Sequence, residues 1–240
     1  MPTNLPDATV RYAGHAEAVI DLHLPGGSRP AGPDTPLLVL LHGGFWKQEW
    51  DRRHTRPMAR DLAERGFVVA TPEYRRVRGG GGWPVTGEDV HLAVRRLPEL
   101  LAELGIATAQ LLVTGHSAGG HLALWLATLD LPVAKVVPLA PVCDLREAIR
   151  LGLGDHATEA LLDGADPSPA DPMTLLDVRP SCAIEIVHGT ADDVVPISLS
   201  RGLVARHPWV GLREVPGGHM EVIEPGSVAW PTVVEALRFI

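Results

Sequence analysis

Residues 111–129 read LLVTGHSAGGHLALWLATL, and this stretch decides the fold. The apolar run Leu111-Leu112-Val113-Thr114 reads as a strand, and a helical run begins directly after the glycine-rich corner that follows. That corner, Gly115-His116-Ser117-Ala118-Gly119, has the Gly-x-Ser-x-Gly pattern of a nucleophile elbow. Exposing a serine Oγ at the top of a strand forces the backbone into a strained turn. A Cβ two residues to either side would then meet the neighbouring strand or helix. Gly120 adds a further small residue where the helix crosses the sheet. The helix start also aims unsatisfied N–H groups at any negative charge that develops beside Ser117. A glycine turn holding a serine by chance requires neither the strand before it nor the helix after it. With both present, Ser117 reads as a nucleophile.

Outward from the elbow the chain alternates strands with helices. Strands are expected at Thr9–Tyr12, Ala18–Leu24, Leu37–Leu41, Phe67–Ala70, Lys135–Ala140, Cys182–Val187 and Val210–Val215. Leu37–Leu41 is continuously apolar, as a strand buried on both faces must be. A helix over 55–66 has Thr55 as N-cap, Pro57 in its first turn and Gly66 at its close. Thr86 and Asp89 form a capping-box pattern for a second helix, which Pro98 is expected to kink or break. Shorter helices follow at Leu145–Leu151 and Ser198–Arg206, and a last one at Val228–Phe239. The Gly- and Pro-rich stretch 25–36 reads as an exposed loop, and 145–180 as an excursion over the sheet edge that serves as a small lid. The pattern predicts one α/β domain over 1–240, with a mostly parallel eight-stranded sheet covered by helices on both faces.

Composition narrows the function. The 240 residues carry 21 basic and 29 acidic side chains, a net charge of −8 that argues against a nucleic-acid partner. Two cysteines, Cys143 and Cys182, make no disulfide framework and suit a reducing compartment, with both thiols buried and inert. The start of the chain, MPTNLPDATVRYAG, has no basic-then-apolar leader, and no apolar run approaches the ~18 residues of a membrane span. The expectation is a soluble cytoplasmic protein that contacts neither membrane nor nucleic acid and is free to form a homodimer.

In a parallel α/β sheet the loops at the C-terminal strand ends converge on one rim, where sites form. Here those loops carry His42-Gly43-Gly44-Phe45-Trp46, Ser117, the pair Asp192 and Asp193, and Pro216-Gly217-Gly218-His219. Two glycines after a buried strand let backbone N–H groups point inward, as an oxyanion loop requires. A serine hydroxyl needs a base, and the base needs a carboxylate to fix its tautomer. The order serine, aspartate, histidine is the one that accompanies this elbow. Asp144, which also follows a strand, is a third candidate for the acid. His42 is expected to brace the oxyanion loop, and His116 and His121 to pack or hydrogen-bond beside the elbow. Trp46 and Trp83 are expected to line the substrate pocket. No His-x-x-x-His or Cys-x-x-Cys spacing supports a metal site, and no cofactor is implied.

These motifs resemble the α/β-hydrolase superfamily across nearly the whole chain. The His-Gly-Gly-Phe-Trp loop (42–46) and Gly-His-Ser-Ala-Gly-Gly-His (115–121) are similar to its arylformamidase (kynurenine formamidase)-like and carboxylesterase-like branch. His188-Gly189-Thr190-Ala191-Asp192 with Val195-Pro196 resembles the loop that carries the family's acid, which favours Asp192 over Asp193; Gly218-His219 resembles the loop of its catalytic histidine. Phe45 stands where hormone-sensitive-lipase relatives have a third glycine, which narrows the room for an acyl group. The resemblance implies a serine hydrolase of small carboxylic esters or aryl formamides. Ser117, His219 and Asp192 would be its triad, and the N–H groups of Gly44, Phe45 and Ala118 its oxyanion hole. Two other readings stand beside it: an arylformamidase specific for N-formylkynurenine, and a non-catalytic ligand-binding protein on the same fold.

Overall fold

Apolar runs without alternation are at home only where both faces of a sheet are covered, and the central strands show this. The computed structural model describes residues 4–26 and 31–238. Its strands are β1 (Ala8–Arg11), β2 (Val19–His23), β3 (Leu37–Leu41), β4 (Val68–Pro72), β5 (Leu111–His116), β6 (Val133–Leu139), β7 (Ala183–Gly189) and β8 (Gly211–Val215). They form one eight-stranded sheet in the order β1-β2-β4-β3-β5-β6-β7-β8. β2 runs antiparallel to both β1 and β4; every other pairing is parallel. Leu41 lies opposite Gly115, His116 opposite Leu139 and Gly189 opposite Val215, so β3, β5, β6, β7 and β8 all end on one rim.

The helices are α1 (Arg56–Glu64), α2 (Val85–Glu103), α3 (Ala118–Ala127), α4 (Leu145–Arg150), α5 (Leu153–Leu162), α6 (Pro172–Leu175), α7 (Ser198–Arg206) and α8 (Trp230–Leu237). Alternation along β3 divides the core. Leu37, Val39 and Leu41 join Val90, Val94 and Leu97 of α2 and Leu122 and Leu126 of α3 on one face. Leu38 and Leu40 join Met58 and Leu62 of α1 and Val233 and Leu237 of α8 on the other. Almost every residue of α3 is buried, as expected of a helix that is apolar all round.

Local details depart from the expected pattern in three places. Thr86 does not cap α2, which begins at Val85 after Pro84 without a side-chain cap. Instead the Thr86 hydroxyl donates to the Arg75 carbonyl, and Asp89 takes the Arg75 guanidinium, so both side chains tie the helix to the loop after β4. Pro98 neither ends nor splits α2; it faces solvent while Leu97, Leu100 and Leu101 keep the helix packed. Thr55 precedes α1, but its hydroxyl donates to the Arg52 carbonyl and makes no cap bond. The 145–180 excursion holds α4, α5 and α6, with Leu145, Ala148, Leu161, Ala170 and Leu176 built into the main core. Residues 27–30 of the expected loop and Phe239, the expected end of the last helix, lie outside the described residues.

The elbow's glycines are required by backbone contact. A Cβ on Gly119 would lie 2.2 Å from the Leu41 carbonyl oxygen, and one on Gly115 2.2 Å from that of Gly119. Neither neighbour is a side chain that could swing away. Gly119→Ala is therefore expected to lower stability by roughly 1–3 kcal/mol or more, read as a reduced urea midpoint; an unchanged midpoint would show that the crossing is looser than these distances require.

Candidate active site

Ser117 sits between β5 and α3 with φ 55° and ψ −114°, a conformation that side-chain-bearing residues rarely adopt. The turn is held from both sides. Its N–H donates to the Leu139 carbonyl at 2.9 Å, and its carbonyl accepts from His121 at 3.0 Å and Val142 at 3.2 Å. The Ser117 Oγ makes no hydrogen bond within the described chain. A Cβ placed on Gly43 would stand 3.2 Å from the Ser117 Cβ, which shows how closely the loop after β3 approaches the serine. That loop turns through three consecutive positive-φ residues, Gly44 (109°), Phe45 (50°) and Trp46 (55°). The N–H groups of Gly44, Phe45 and Ala118 donate to no other group of the described chain. Three uncommitted donors thus belong to the residue after the serine and to the loop that approaches it, the raw material of an oxyanion hole.

The other two rim loops meet. His219 Nδ1 donates to Asp192 Oδ2 at 2.7 Å, and both residues are buried or nearly so. Asp192 Oδ1 accepts from the backbone N–H of Val194 at 2.9 Å and of Val195 at 2.8 Å. Burial alone would raise the Asp192 pKa. Hydrogen bonds from His188 and His219 outweigh it and hold the carboxyl well below its ordinary range. Asp193 is exposed, and Asp144 caps α4 by accepting from the Glu147 N–H at 2.8 Å. The histidine loop is in turn bound to the elbow. His116 Nε2 donates to the His219 carbonyl at 2.8 Å, and the two rings lie 4.4 Å apart. The residue next to Ser117 therefore anchors the histidine that the sequence pairs with it.

His42 braces the loop after β3. Its Nδ1 lies 2.8 Å from the Gly43 carbonyl and its Nε2 2.7 Å from Glu73 Oε1, while the Tyr74 ring stacks on it at 4.2 Å. Glu73 is fully buried and was not among the expected site residues. It accepts from the Arg76 guanidinium and from the Arg52 N–H, and Arg52 and Arg56 in turn grip Asp21 of β2. Asp21, too, is pulled below the carboxylate range: burial raises it, and bonds from Arg56 and Arg52 outweigh that. The signal available for this network was the charge density of Glu73-Tyr74-Arg75-Arg76 directly after a buried strand, where charges are costly unless paired.

Of the two tryptophans expected to line the pocket, Trp46 needs correction. Trp46 is fully buried, with its ring edge-on to His121 at 5.1 Å, so it supports the loop from beneath and does not line an open pocket. Trp83 is half-buried and packs edge-on against Trp125 at 5.1 Å. Phe45 lies against Gly154, where a Cβ would come within 2.6 Å of its ring. Gly154, Asp155 and His156 form a left-handed turn at the start of α5. Cys143 and Cys182 are free and buried. Among the described residues no group of three or more His, Cys, Asp or Glu side chains could hold a metal ion, and no helix is long and apolar enough to cross a membrane.

The eight-stranded sheet, with its helices on both faces and its loops converging on one rim, has the architecture of the α/β-hydrolase fold. A model of the BD-FAE family matches residues 20–134, which include the His42 loop and the elbow. Over 192 residues the chain is 27% identical to the probable carboxylic ester hydrolase LipM of Mycobacterium tuberculosis, covering 70% of this chain and 44% of that one. Over 126 residues it is 29% identical to the kynurenine formamidase of Danio rerio, covering 52% of this chain and 40% of that one. The chain thus spans about half the length of the curated relatives it matches. Among solved structures, a truncated carbohydrate esterase from gut microbiota shares the fold, with a TM-score of 0.81 at 20% identity over 97% of this chain and 96% of that one.

Buried neutral histidines give the site a pH signature. Burial holds His116 down to about 3 and His121 to about 4, whereas both titrate near ~6.5 in an unfolded chain. Between those values the unfolded chain binds protons that the folded one refuses. Their contribution to stability is therefore complete above about pH 6.5 and is lost as pH falls toward about 4. Each accounts for about 2 kcal/mol by pH 5. The urea midpoint should drop between pH 7 and pH 5, and His121→Gln should flatten that drop. A midpoint indifferent to pH across this window would mean that these rings are not held neutral.

Proposed function

We propose that the chain is a serine hydrolase acting on small carboxylic esters and aryl formamides through an acyl-enzyme. One observation carries the reading: the 2.7 Å His219–Asp192 hydrogen bond, in a loop tied through His116 to the residue beside Ser117. Donation of Nδ1–H to Asp192 leaves His219 Nε2 as the nitrogen that can take a proton. Ser117 Oγ attacks the carbonyl carbon and its proton passes to His219. The carbonyl π electrons move onto oxygen, where the N–H groups of Ala118, Gly44 and Phe45 receive the charge. Collapse of the tetrahedral intermediate breaks the bond to the leaving alcohol or amine, which takes the proton from His219. Water, deprotonated by the same histidine, then releases the acid and restores Ser117. Asp192 stays ionised throughout, holding the imidazolium in place.

The similarity to esterases and to a kynurenine formamidase supports both leaving-group types, and Phe45, two residues after the Gly43 that approaches the serine, favours a small acyl group. Formyl, acetyl and propionyl differ by only ~1–3 kcal/mol per methylene in such a pocket, so overlapping activities are expected. The free thiols suit the cytoplasm. The alternative of a ligand-binding protein is disfavoured because serine, aspartate and histidine are all present.

Ser117→Ala is expected to reduce kcat by on the order of 10⁴–10⁶ with the fold retained, and Asp192→Asn by about 10⁴. A fluorophosphonate should label the wild type and not Ser117→Ala. Absence of labelling on folded wild type would favour the binding protein. Relative turnover of N-formylkynurenine and nitrophenyl acetate then separates formamidase from esterase.

A further inference from the structure

Asp192 carries more than one histidine. His188, the last residue but one of β7, is fully buried and places its Nε2 3.2 Å from Asp192 Oδ2, the oxygen that also accepts from His219. The same Nε2 lies 2.9 Å from the Val195 carbonyl. A carbonyl only accepts, so Nε2 bears the proton and Nδ1 is the bare nitrogen. The hydroxyl of Ser200 on α7, 2.7 Å away, supplies the hydrogen that Nδ1 needs. The tautomer is thereby fixed from both ends. The one Nε2–H is thus shared: the Val195 carbonyl is its nearer acceptor and Asp192 Oδ2 its longer branch, beside Val194 and Val195 on Oδ1 and His219 on Oδ2.

We propose that His188 is a positioning residue of the proton relay: locked by Ser200, it fills the remaining acceptor site on Asp192 and so fixes which lone pair His219 meets. This rests on the reading of Ser117, His219 and Asp192 given above. A carboxylate held by these donors stays ionised, and the two backbone bonds on Oδ1 keep it from rotating. With the backbone bonds on Oδ1 unchanged, removing the His188 donor opens the second lone pair of Oδ2, so that His219 is no longer confined to one of the two, and leaves more negative charge facing His219. The first effect lowers kcat; the second moves the acid limb of the pH profile upward.

Other groups facing this trio do not titrate in the working range or are already paired. Burial keeps His116, at the end of β5, neutral at about 3 and pushes Cys143, whose Sγ lies 3.9 Å from the Ser200 Oγ, up to about 12. Glu214 on β8, opposite His188, is bound by Arg201, and Glu221 accepts from the Gly218 N–H.

The test uses His188→Leu, His188→Gln and Ser200→Ala in the full chain. His188→Leu should lower kcat about 10- to 100-fold, the scale of one hydrogen bond to a charged group, with KM little changed. It should also move the acid limb of kcat/KM up by about half a pH unit or more. His188→Gln puts an amide N–H near the Nε2 position and should restore most of both. Ser200→Ala, which releases the ring without removing it, should shift the limb in the same direction by less, and it carries the test if His188→Leu does not fold. The low-field proton resonance of the His219–Asp192 bond gives a readout independent of turnover, and its pH midpoint should move with the limb. An active enzyme whose folded variants keep the wild-type kcat, limb and resonance overturns the proposal. A wild type that fluorophosphonate does not label, but whose resonance still moves in the variants, overturns the hydrolase reading and leaves the role of His188 standing.

Discussion

One crossing of backbones governs this molecule: the first turn of α3 passes so close to the end of β3 that only hydrogen fits between Gly119 and the Leu41 carbonyl. A wider crossing would leave Ser117 on an ordinary strand-to-helix turn, with its side chain among the apolar residues of the sheet. The close one forces φ to 55° at Ser117 and spends strain that the packed core on both sides of the sheet supports. It also brings the loop after β3 against the serine, because the strand that receives the helix is the strand that carries His42 and Gly43. The strained turn at Ser117 and the close approach of the loop after β3 are thus two results of one steric constraint.

Charge buried beneath the rim extends that constraint. The loop after β3 is tied through His42 to Glu73 in the loop after β4, and Glu73 through Arg52 to Asp21 on the antiparallel β2. Buried ion pairs of this kind add little net stability over a well-packed apolar equivalent, yet removing one partner costs about 3–5 kcal/mol because it strands the other. Their worth here is geometric. They allow the strained sequence Gly44-Phe45-Trp46 one arrangement, with Trp46 sealed underneath and its neighbours' N–H groups uncommitted.

What could be read from the amino acids follows from which interactions are local. The strands announced themselves as apolar runs because burial on both faces leaves no polar position, and the elbow because its glycines answer a steric demand within five residues. Asp192 and His219 were legible as loop residues in serine-aspartate-histidine order, and the fold sets them 2.7 Å apart. Glu73, Arg52 and Asp21 were not, since their pairing spans three loops and no periodicity encodes it. Thr86 and Asp89 had the spacing of a cap and serve instead to fasten the Arg75 loop, a tertiary use that overrides the local pattern. Trp46 misled for a related reason: a large aromatic at a sheet rim serves wall and floor equally, and burial alone tells them apart.

The proton relay proposed here turns on which imidazole is left free. Four histidines crowd the strand ends, and any of them could in principle accept a proton from a nearby hydroxyl. His42 has both ring nitrogens engaged, one against a carbonyl and one against Glu73. His188 is engaged at both as well, by Val195 and Asp192 on one side and Ser200 on the other. His116 gives its N–H to the His219 carbonyl and is kept neutral by full burial. His219 alone combines a carboxylate on Nδ1 with an Nε2 that makes no hydrogen bond within the described chain. In the proposed relay the surrounding imidazoles thus leave His219 as the base by being engaged themselves, and the bond that engages His116 also holds the His219 loop in place.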